Sequence, residues 1–354
     1  MLSIKEISKQ TGFSTATVSR ALDPRYSGKV KASTRQRIMA LCDEYQFRPK
    51  FSAQALASGK TYTVGLISED LESMINSPTF SQFVSFLAQE LKNNNYTLSV
   101  LPVSDHDPET IDKEILHTFY SCRMDGFVLS SNTVGTLTLK ELASGKFPVV
   151  TYQMPSDICN PMPVTSVRID NAYRELLRHL KETGRRRFVI IGMGNSNNSR
   201  HEQCRKCASE LNLAIQDSDV LLLPKEEVRA EPTLGTYLAV LKHWEKLKQY
   251  DAWIMSNDLM ARGACAALRH FKYEPGREIA VTGYDNMEES RLYLFQKPML
   301  TTIRPPLNLL GTTCAQLLLE QIRAPGAGSK EIKLHSELVI RQSSHQTNYK
   351  EEAP

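Results

Sequence analysis

Hydrophobic residues recur at helical spacing in two short stretches of the N-terminal sequence IKEISKQTGFSTATVSRAL, residues 4–22. Gly12 lies between the stretches and can adopt a positive φ, and Ser14 is placed to cap the helix that follows. In the second stretch, residues 15–22, Val18 and its apolar neighbours face inward. The pattern predicts two short helices joined by a tight turn.

The outward side of the second predicted helix is small, polar and weakly basic. Such a side suits the major groove of DNA, which a helix-turn-helix enters with its second helix. The residues available on that side are Thr15, Ala16, Thr17, Ser19 and Arg20. On this pattern alone, an ordinary helical hairpin is an equally good interpretation.

The distribution of charge favours DNA binding. Residues 1–60 contain eleven Lys and Arg against four Asp and Glu, a local net charge of +7. The whole chain has 43 basic and 39 acidic residues, so residues 61–354 carry 32 against 35. Basic charge concentrated on one small unit is typical of phosphate binding, whereas a merely solvated surface would spread its charge evenly.

A third helix and a hinge are predicted next. Apolar residues at helical spacing indicate a helix over residues 32–45. The following segment, 47–61, contains a short Ala-rich stretch from about Ser52 to Ala57, which is too short to be stable as an isolated helix. We expect this stretch to fold on DNA. Leu56 from each half of a dimer would then wedge between base steps of the minor groove.

From residue 63 onward, short apolar runs alternate with helical stretches, which predicts parallel α/β sheets. A Pro-rich break at 159–163 divides the alternation into two similar lobes, and such sheets bind ligands outside the carboxyl ends of their strands. The predicted strands are 63–68, 97–103, 126–131, 148–153, 164–170, 187–193, 219–224, 251–256 and 278–285. Helices are predicted near 79–94, 108–121 and 136–144.

Composition is that of an ordinary globular protein. At 354 residues, the chain exceeds the size that one core usually supports, so two or three domains are expected. It has no apolar run of membrane-spanning length and no signal-peptide pattern, and we therefore expect a cytoplasmic protein. Its seven cysteines are scattered. Cys204 and Cys207 fall within a predicted helix, so we interpret them as structural residues and not as a redox or zinc motif.

Three stretches, in this order, resemble the lac repressor family of bacterial transcription regulators. They are ATVSRAL in the second helix, PKFSAQALASGKT in the hinge, and SNDLMARGACAAL followed by VTGYDN. The resemblance covers essentially the whole chain and implies a small all-α helix-turn-helix headpiece, a hinge helix and a two-lobed α/β sensor like the periplasmic sugar-binding proteins. It also implies a homodimeric repressor whose binding to operator DNA is modulated by a small-molecule effector, most often a sugar or sugar derivative.

The resemblance assigns seven residues to the DNA interface. They are Thr15 and Ala16 at bases, Thr17 and Ser19 near phosphates, Arg20 at a further base or phosphate, Lys50 before the hinge helix, and Leu56 at the intercalating position. Ala16 can make only apolar contact, for example with a thymine methyl group. Direct base recognition is therefore expected to depend on Thr15 and Arg20.

In the sensor, the resemblance places Arg200 at a cleft arginine that grips ligand oxygens, Asn257 at a polar position after a strand, and Asp285 at the acid of the GYD turn. A guanidinium donates to vicinal oxygens and a carboxylate accepts from adjacent hydroxyls, so this pair suits a polyol. Ser68 and Glu69, at the end of the first strand, are candidates on the opposite lobe.

Two departures from the family pattern indicate an atypical pocket. Ala230 stands where many relatives have a stacking aromatic residue, and Gln203 with Cys204 replaces a Gly-aromatic pair. A sugar, a sugar acid and a phosphorylated metabolite all remain open as effectors.

The expected organisation has four parts: a headpiece at 1–47, a hinge helix and linker at 48–61, an effector-binding and dimerisation domain at 62–345, and a polar tail at 346–354. The first lobe is predicted to span about 62–160 and 294–324, and the second about 163–292 and 326–345.

Other classes of protein fit the sequence less well. It shows no Gly-rich phosphate loop, nucleophile elbow or metal-ligand cluster, so we expect no enzyme, no cofactor and no metal. Its histidines, among them His106, His117, His179 and His201, are dispersed. A pure sugar-binding module would lack the basic headpiece, whereas control by a protein corepressor stays open. The tail lacks apolar heptads, which favours a dimer over a tetramer.

Overall fold

Three helices around one small core form the N-terminal headpiece. The structure is a computed structural model, and it describes residues 3–47, 55, 59–68, 77–102, 108–121, 123–130, 138, 140, 141, 144, 147–152, 163–194, 199–228, 230–289, 298–325 and 330–345. The headpiece helices are α1 (Ile4–Thr11), α2 (Thr15–Leu22) and α3 (Ala32–Glu44), with a 3-10 helix at Pro24–Lys29. The buried core consists of Ile7, Val18, Ala21, Ile38 and Cys42.

Local hydrogen bonds define the turn between α1 and α2. Gly12 follows α1 with a φ of 74°, in the left-handed region that favours glycine. Ser3 and Glu6 form a reciprocal capping box at the start of α1. The Ser14 hydroxyl accepts a hydrogen bond from the Thr17 amide at 3.2 Å, which caps α2 as predicted.

Two six-stranded sheets and their helices form the body. The strands are β1 (Thr63–Ser68), β2 (Thr97–Pro102), β3 (Gly126–Ser130), β4 (Val149–Tyr152), β5 (Val164–Arg168), β6 (Phe188–Met193), β7 (Val220–Leu223), β8 (Ala252–Met255), β9 (Ala280–Tyr284), β10 (Thr301–Arg304), β11 (Glu331–His335) and β12 (Glu337–Val339). The helices are α4 (Pro78–Asn93), α5 (Pro108–Tyr120), α6 (Asp170–Glu182), α7 (Ser199–Glu210), α8 (Lys225–Val228), α9 (Pro232–Lys242), α10 (Trp244–Leu247), α11 (Asp258–His270) and α12 (Leu307–Arg323). Further 3-10 helices lie at Asp217–Asp219, Met287–Glu289 and Gln342–Ser344.

Strand polarity is nearly uniform in both sheets. The first has the order β11-β5-β4-β3-β1-β2, and the second has the order β12-β10-β9-β8-β6-β7. Neighbouring strands are parallel throughout, except that β12 runs antiparallel to β10. Strands buried on both faces appear in sequence as continuous apolar runs, which is why they could be predicted. The predicted fold class is confirmed.

The predicted boundaries between the lobes are wrong at three strands. The prediction placed residues 163–292 and 326–345 in one lobe and 294–324 in the other. Instead, β5 and β11 pair in the first sheet, with Val164 opposite Glu331, and β10 pairs with β9 in the second sheet. The chain therefore crosses between lobes after β5, β10 and β11. Apolar runs mark the strands but do not encode their partners, so the sequence pattern did not locate these crossings.

Two predicted helices lie largely outside the described residues. Of the hinge stretch from Ser52 to Ala57, only Ala55 is described, and of the helix near 136–144, only residues 138, 140, 141 and 144 are described. Both remain predictions. Among the residues that the structure describes, no helix is long and apolar enough to cross a membrane.

The helices α4 and α12 pack closely beside the first sheet at Gly311. A Cβ atom at this position would lie 2.8 Å from the Phe83 carbonyl oxygen and 2.9 Å from the Leu87 amide nitrogen. Because both are backbone atoms of α4, neither can rotate away from an added methyl group.

We therefore expect Gly311→Ala to lower the free energy of unfolding by about 1–3 kcal/mol, because overpacking outweighs the higher helix propensity of alanine. Urea denaturation followed by circular dichroism measures the change. Gly28→Ala is the control, since a Cβ there meets no heavy atom within 4 Å. A Gly311→Ala protein as stable as the parent would contradict the packing argument.

Candidate functional site

The outward side of α2 is accessible in the folded headpiece. Thr15, Ala16 and Arg20 are exposed, and Thr17 and Ser19 are half-buried. The Thr17 hydroxyl also lies 2.9 Å from the Ser14 hydroxyl, so this side chain supports the cap of α2. The structure thus places the five predicted residues together, and their contacts with DNA remain a prediction.

Arg35 of α3 holds the end of α2 in place. Its Nη2 atom donates to the carbonyl oxygens of Arg20 and Asp23, each at 3.3 Å. Cations near the C-terminus of a helix interact favourably with its dipole. Arg35 therefore fixes the direction in which α2 presents its side chains. Exposed cations elsewhere on the headpiece are Lys5, Lys9, Lys29, Lys31 and Arg37.

Arg200 lies in the first turn of α7 and is the centre of the second candidate site. Its Nη1 donates to the Ser256 carbonyl oxygen at 3.0 Å, and its Nη2 lies 3.7 Å from Asp285 Oδ1. The guanidinium carbon lies 3.8 Å from the centre of the Tyr284 ring, a cation–π contact. The side chain is 29 % exposed. Three contacts therefore orient the Arg200 guanidinium, and the side chain keeps access to solvent.

Asp285 follows β9 at the end of the GYD sequence. Its backbone has a φ of 109°, uncommon for a residue other than glycine, and its amide donates to the Ile303 carbonyl oxygen at 2.8 Å. Burial raises the pKa of the Asp285 carboxyl to about 6, although the positive charge of Arg200 opposes this shift. The strained backbone aims a buried carboxylate at Arg200, as the predicted site requires.

The structure gives Asn257 a capping role. Its side-chain oxygen accepts a hydrogen bond from the Met260 amide at 2.9 Å and so caps α11. The cap uses one lone pair of the oxygen, so the other lone pair and the amide nitrogen are the groups that a ligand can contact. Of the candidates on the opposite lobe, the Ser68 side chain and Glu69 lie outside what the structure describes, as do Lys50 and Leu56 of the DNA interface.

His201 was not among the site residues predicted from the sequence, where it was one of several dispersed histidines. In the structure it contacts Ser256, the residue whose carbonyl oxygen also binds Arg200. Its Nε2 lies 2.6 Å from the Ser256 hydroxyl oxygen. The ring occupies the space above Gly192 of β6, where a Cβ atom would come within 2.1 Å of it. Burial and, to a smaller extent, the positive charge of Arg200 lower the pKa of His201 to about 4, so the ring is neutral at physiological pH. The glycine at 192 was the only sequence signal for this contact.

Asp258, the first residue of α11, was also not among the site residues predicted from the sequence. One carboxylate oxygen accepts from the Thr302 hydroxyl at 2.6 Å, and the other accepts from the Met287 amide at 2.7 Å. The side chain packs over Gly283, where a Cβ atom would lie 2.1 Å from Oδ1. Burial raises the pKa of Asp258 to about 8; the hydrogen bond from Thr302 opposes the shift, and the charge of Asp285 adds to it. Asp258 therefore connects α11 to the GYD turn.

Cys204 and Cys207 lie within α7 and are buried, as the structural interpretation requires. Burial raises the pKa of both thiols, which disfavours the reactive thiolate. Across the described part of the chain, no group of three or more His, Cys, Asp or Glu residues could hold a metal ion.

Comparisons with known proteins cover both domains. Residues 3–50 match the family described as "Bacterial regulatory proteins, lacI family", and residues 177–344 match the "Periplasmic binding protein-like domain". The chain is 27 % identical to the transcriptional regulator MalR of Clostridium butyricum, over 97 % of this chain and 99 % of that protein. It is 26 % identical to the transcriptional repressor PurR of Yersinia pestis, over 97 % of each chain. Both relatives are transcription regulators, not enzymes, and the match extends over nearly all of each.

Solved structures share the fold. The lac repressor dimer bound to operator and the anti-inducer ONPF superimposes with a TM-score of 0.78 at 20 % identity, over 97 % of this chain and 99 % of that one. The complex of the transcriptional regulator CelR with cellobiose gives 0.66 at 19 % identity, over 97 % of this chain and all of that one. The two-lobed architecture with an N-terminal headpiece is therefore that of the lac repressor.

The Asp258 carboxyl makes stability depend on pH. Its pKa is about 8 in the folded protein and near 4 in an unfolded chain, so the folded state holds the proton more tightly. The free energy of unfolding should therefore fall as pH rises from 6 to 8, by at most about 1.4 kcal/mol per pH unit. Asp258→Asn should flatten this slope.

Urea denaturation followed by tryptophan fluorescence tests the prediction, because Trp253 is fully buried in the same lobe. Asp217→Asn is the control, since that carboxylate is 91 % exposed. Equal slopes for the parent and Asp258→Asn would show that Asp258 is ionised throughout this range.

Proposed function

This chain belongs to the lacI family of bacterial regulatory proteins, and we propose that it is a homodimeric repressor whose affinity for operator DNA is set by a neutral sugar or sugar derivative. It would act in the cytoplasm, where operator DNA is located. The observation that carries the proposal is the Arg200–Asp285 pair in the body, combined with a basic helix-turn-helix headpiece in the same chain. One domain provides the DNA-binding surface and the other provides a ligand-binding surface.

The headpiece supports sequence-specific binding. Thr15, Ala16 and Arg20 are exposed on α2, while Val18 and Ala21 anchor the helix in the core. Helices of this motif contact base edges with their N-terminal residues. The net charge of +7 in residues 1–60 supplies the phosphate attraction that dominates affinity.

The body supports a ligand rich in hydroxyl groups. The guanidinium of Arg200 donates to oxygens, and the carboxylate of Asp285, 3.7 Å away, accepts from hydroxyls. Two vicinal hydroxyls can satisfy both groups together. The complex of CelR with cellobiose shows a regulator of the same fold with a bound sugar, which favours this class of effector over a protein corepressor.

The balance of charge favours a neutral sugar over a sugar acid or sugar phosphate. Arg200 is already compensated by Asp285, and His201 is neutral at physiological pH. An anionic ligand that approached Arg200 would meet the nearby negative charge of Asp285 in a partly buried setting, where repulsion is poorly screened. A hydroxyl group meets no such repulsion.

The proposed dimer is supported by the lac repressor dimer and by an apolar surface on this chain. Leu234 and Leu238 lie one turn apart on α9 and are each 53 % exposed. Side chains four residues apart project from the same face of a helix. Two headpieces of a dimer can read the two halves of a near-palindromic operator.

We expect operator affinity to fall steeply with salt, and Arg20→Ala to weaken binding by about 1–3 kcal/mol if Arg20 contacts a base through both guanidinium nitrogens. Fluorescence anisotropy with labelled operator at several salt concentrations measures both effects. Arg123→Ala removes an exposed cation from the body and serves as control. An affinity independent of salt would refute the electrostatic argument. A loss equal on operator and random DNA would assign Arg20 to a phosphate.

A thermal-shift screen with neutral sugars, sugar acids and sugar phosphates should identify a neutral sugar. At a ligand concentration of about 100 Kd, linkage predicts stabilisation of about 2.7 kcal/mol, a rise in Tm of roughly 5 °C or more. Asp285→Ala should abolish this rise and the effect of the sugar on operator affinity, while operator affinity without sugar stays near that of the parent. Asp217→Ala is the control. Stabilisation by sugar phosphates alone would contradict the charge argument.

A further inference from the structure

The chain enters the body at Thr61 and Tyr62, just before β1. The Asp125 carboxylate holds both residues: Oδ1 accepts from the Thr61 amide at 2.7 Å and from the Thr61 hydroxyl at 2.9 Å, and Oδ2 accepts from the Tyr62 amide at 2.9 Å. Asp125 itself is fixed, because its own amide donates to the Thr63 carbonyl oxygen at 2.8 Å. The last residues of the linker are thus tied to the start of β3 by three hydrogen bonds to one carboxylate, which are stronger than bonds between neutral groups.

Tyr62 is held in a conformation that the chain would not adopt freely. Its φ is +50°, in the left-handed region, which is strained for a bulky residue. Its amide donates to Asp125, and its carbonyl oxygen accepts from the Thr97 amide at 2.9 Å. The bonds on both sides of Tyr62 therefore fix the direction in which the chain arrives at β1. Without the carboxylate, one of these two restraints is lost.

The second lobe contains the same arrangement at the equivalent place. Asp251 precedes β8, and its Oδ1 accepts from the amides of Arg186 and Arg187, each at 2.9 Å, just before β6. The two carboxylates thus tie the first strand of each sheet to the third strand in chain order. The segments that the two carboxylates hold come from different parts of the chain. Arg186 and Arg187 continue from α6 of the same lobe, whereas Thr61 and Tyr62 continue from the linker of the headpiece.

We propose that Asp125 is the positioning residue that couples the body to the DNA-binding headpiece, because it makes the linker move with the first lobe as one rigid unit. The proposal rests on the proposed function, and it adds that the effector acts by changing the arrangement of the lobes and thereby the spacing of the two headpieces. A linker released from Asp125 has additional freedom between body and headpiece. Movement of the lobes is then absorbed in the linker and does not reach the DNA.

The first experiment uses trypsin, since the amide that Asp125 Oδ1 accepts from belongs to the Lys60–Thr61 peptide bond. Asp125→Asn keeps the shape of the side chain but places an NH₂ group against one or more donors. The local opening equilibrium should rise, and cleavage after Lys60 should become about tenfold faster or more. Mass spectrometry identifies the fragment 61–354, and cleavage after Lys50 serves as an internal reference.

Asp251→Asn is the matched control, because it removes the equivalent hydrogen bonds from the other lobe. It should leave the rate of cleavage after Lys60 at the parental value. Thr61→Val removes the hydroxyl bond to Asp125 and the 3.3 Å bond that the same hydroxyl accepts from the Thr63 amide, but it keeps both amide bonds to Asp125. It should give an intermediate rate, so the proposal remains testable if Asp125→Asn folds poorly. Equal rates of cleavage after Lys60 in the parent, Asp125→Asn and Thr61→Val would overturn the proposal.

The second experiment measures coupling. The sugar found in the thermal-shift screen should stabilise Asp125→Asn as it does the parent. The ratio of operator Kd values with and without that sugar, expected at about 5- to 150-fold for the parent, should fall towards one. The ratio for Asp251→Asn should stay parental. A parental ratio in Asp125→Asn would overturn the coupling role. If no sugar acts on the parent, the proposed function fails, whereas the cleavage rates still decide whether Asp125 restrains the linker.

Discussion

The uniform polarity of the parallel strands is the constraint on which the rest of the structure depends. In the second sheet, β9, β8 and β6 are neighbours, so the segments that follow them emerge at one edge. Those segments carry Asp285, the pair Asn257 and Asp258, and Arg200, which are distant in sequence and adjacent in space. Parallel sheets generally bind ligands at this edge because all strands end there. At the edge where strands begin, Asp125 in the first sheet and Asp251 in the second tie strand starts together.

Charge is arranged differently in the two domains. Residues 1–60 carry a net charge of +7, and the exposed cations of the headpiece include Lys5, Lys9, Lys29, Lys31 and Arg37. In the cleft, Arg200 has a carboxylate at 3.7 Å, a carbonyl oxygen at 3.0 Å and an aromatic ring at 3.8 Å. A partly buried cation would be costly without such partners. The same partners leave the surroundings of Arg200 close to neutral.

Carboxyl groups that accept several hydrogen bonds join separate segments at two places in the fold. Asp258 joins α11 to β10 and to the turn after β9, and Asp125 joins the linker to β3. A carboxyl group that accepts hydrogen bonds from two segments resists displacement, because a buried amide or hydroxyl left without a partner costs more free energy than a typical hydrogen bond contributes. Glycines make room for buried polar side chains near the candidate site. Gly283 accommodates Asp258, and Gly192 accommodates His201.

The sequence alone determined the headpiece helices, most strand positions and the fold class, and it singled out Arg200 and Asp285, which the structure brings within 3.7 Å of each other. These depend on short-range patterns: helical spacing, the Gly12 turn, the Ser14 cap, continuous apolar runs, and family motifs at fixed positions. Only the tertiary structure decided which sheet takes β5, β10 and β11, that His201 and Asp258 lie at the site, and that Asp125 binds the linker. Each of these depends on contacts between residues far apart in the chain, such as Asp125 with Thr61, or Asp258 with Thr302. Strand pairing and burial create such contacts, and no local pattern of hydrophobic and polar residues records them.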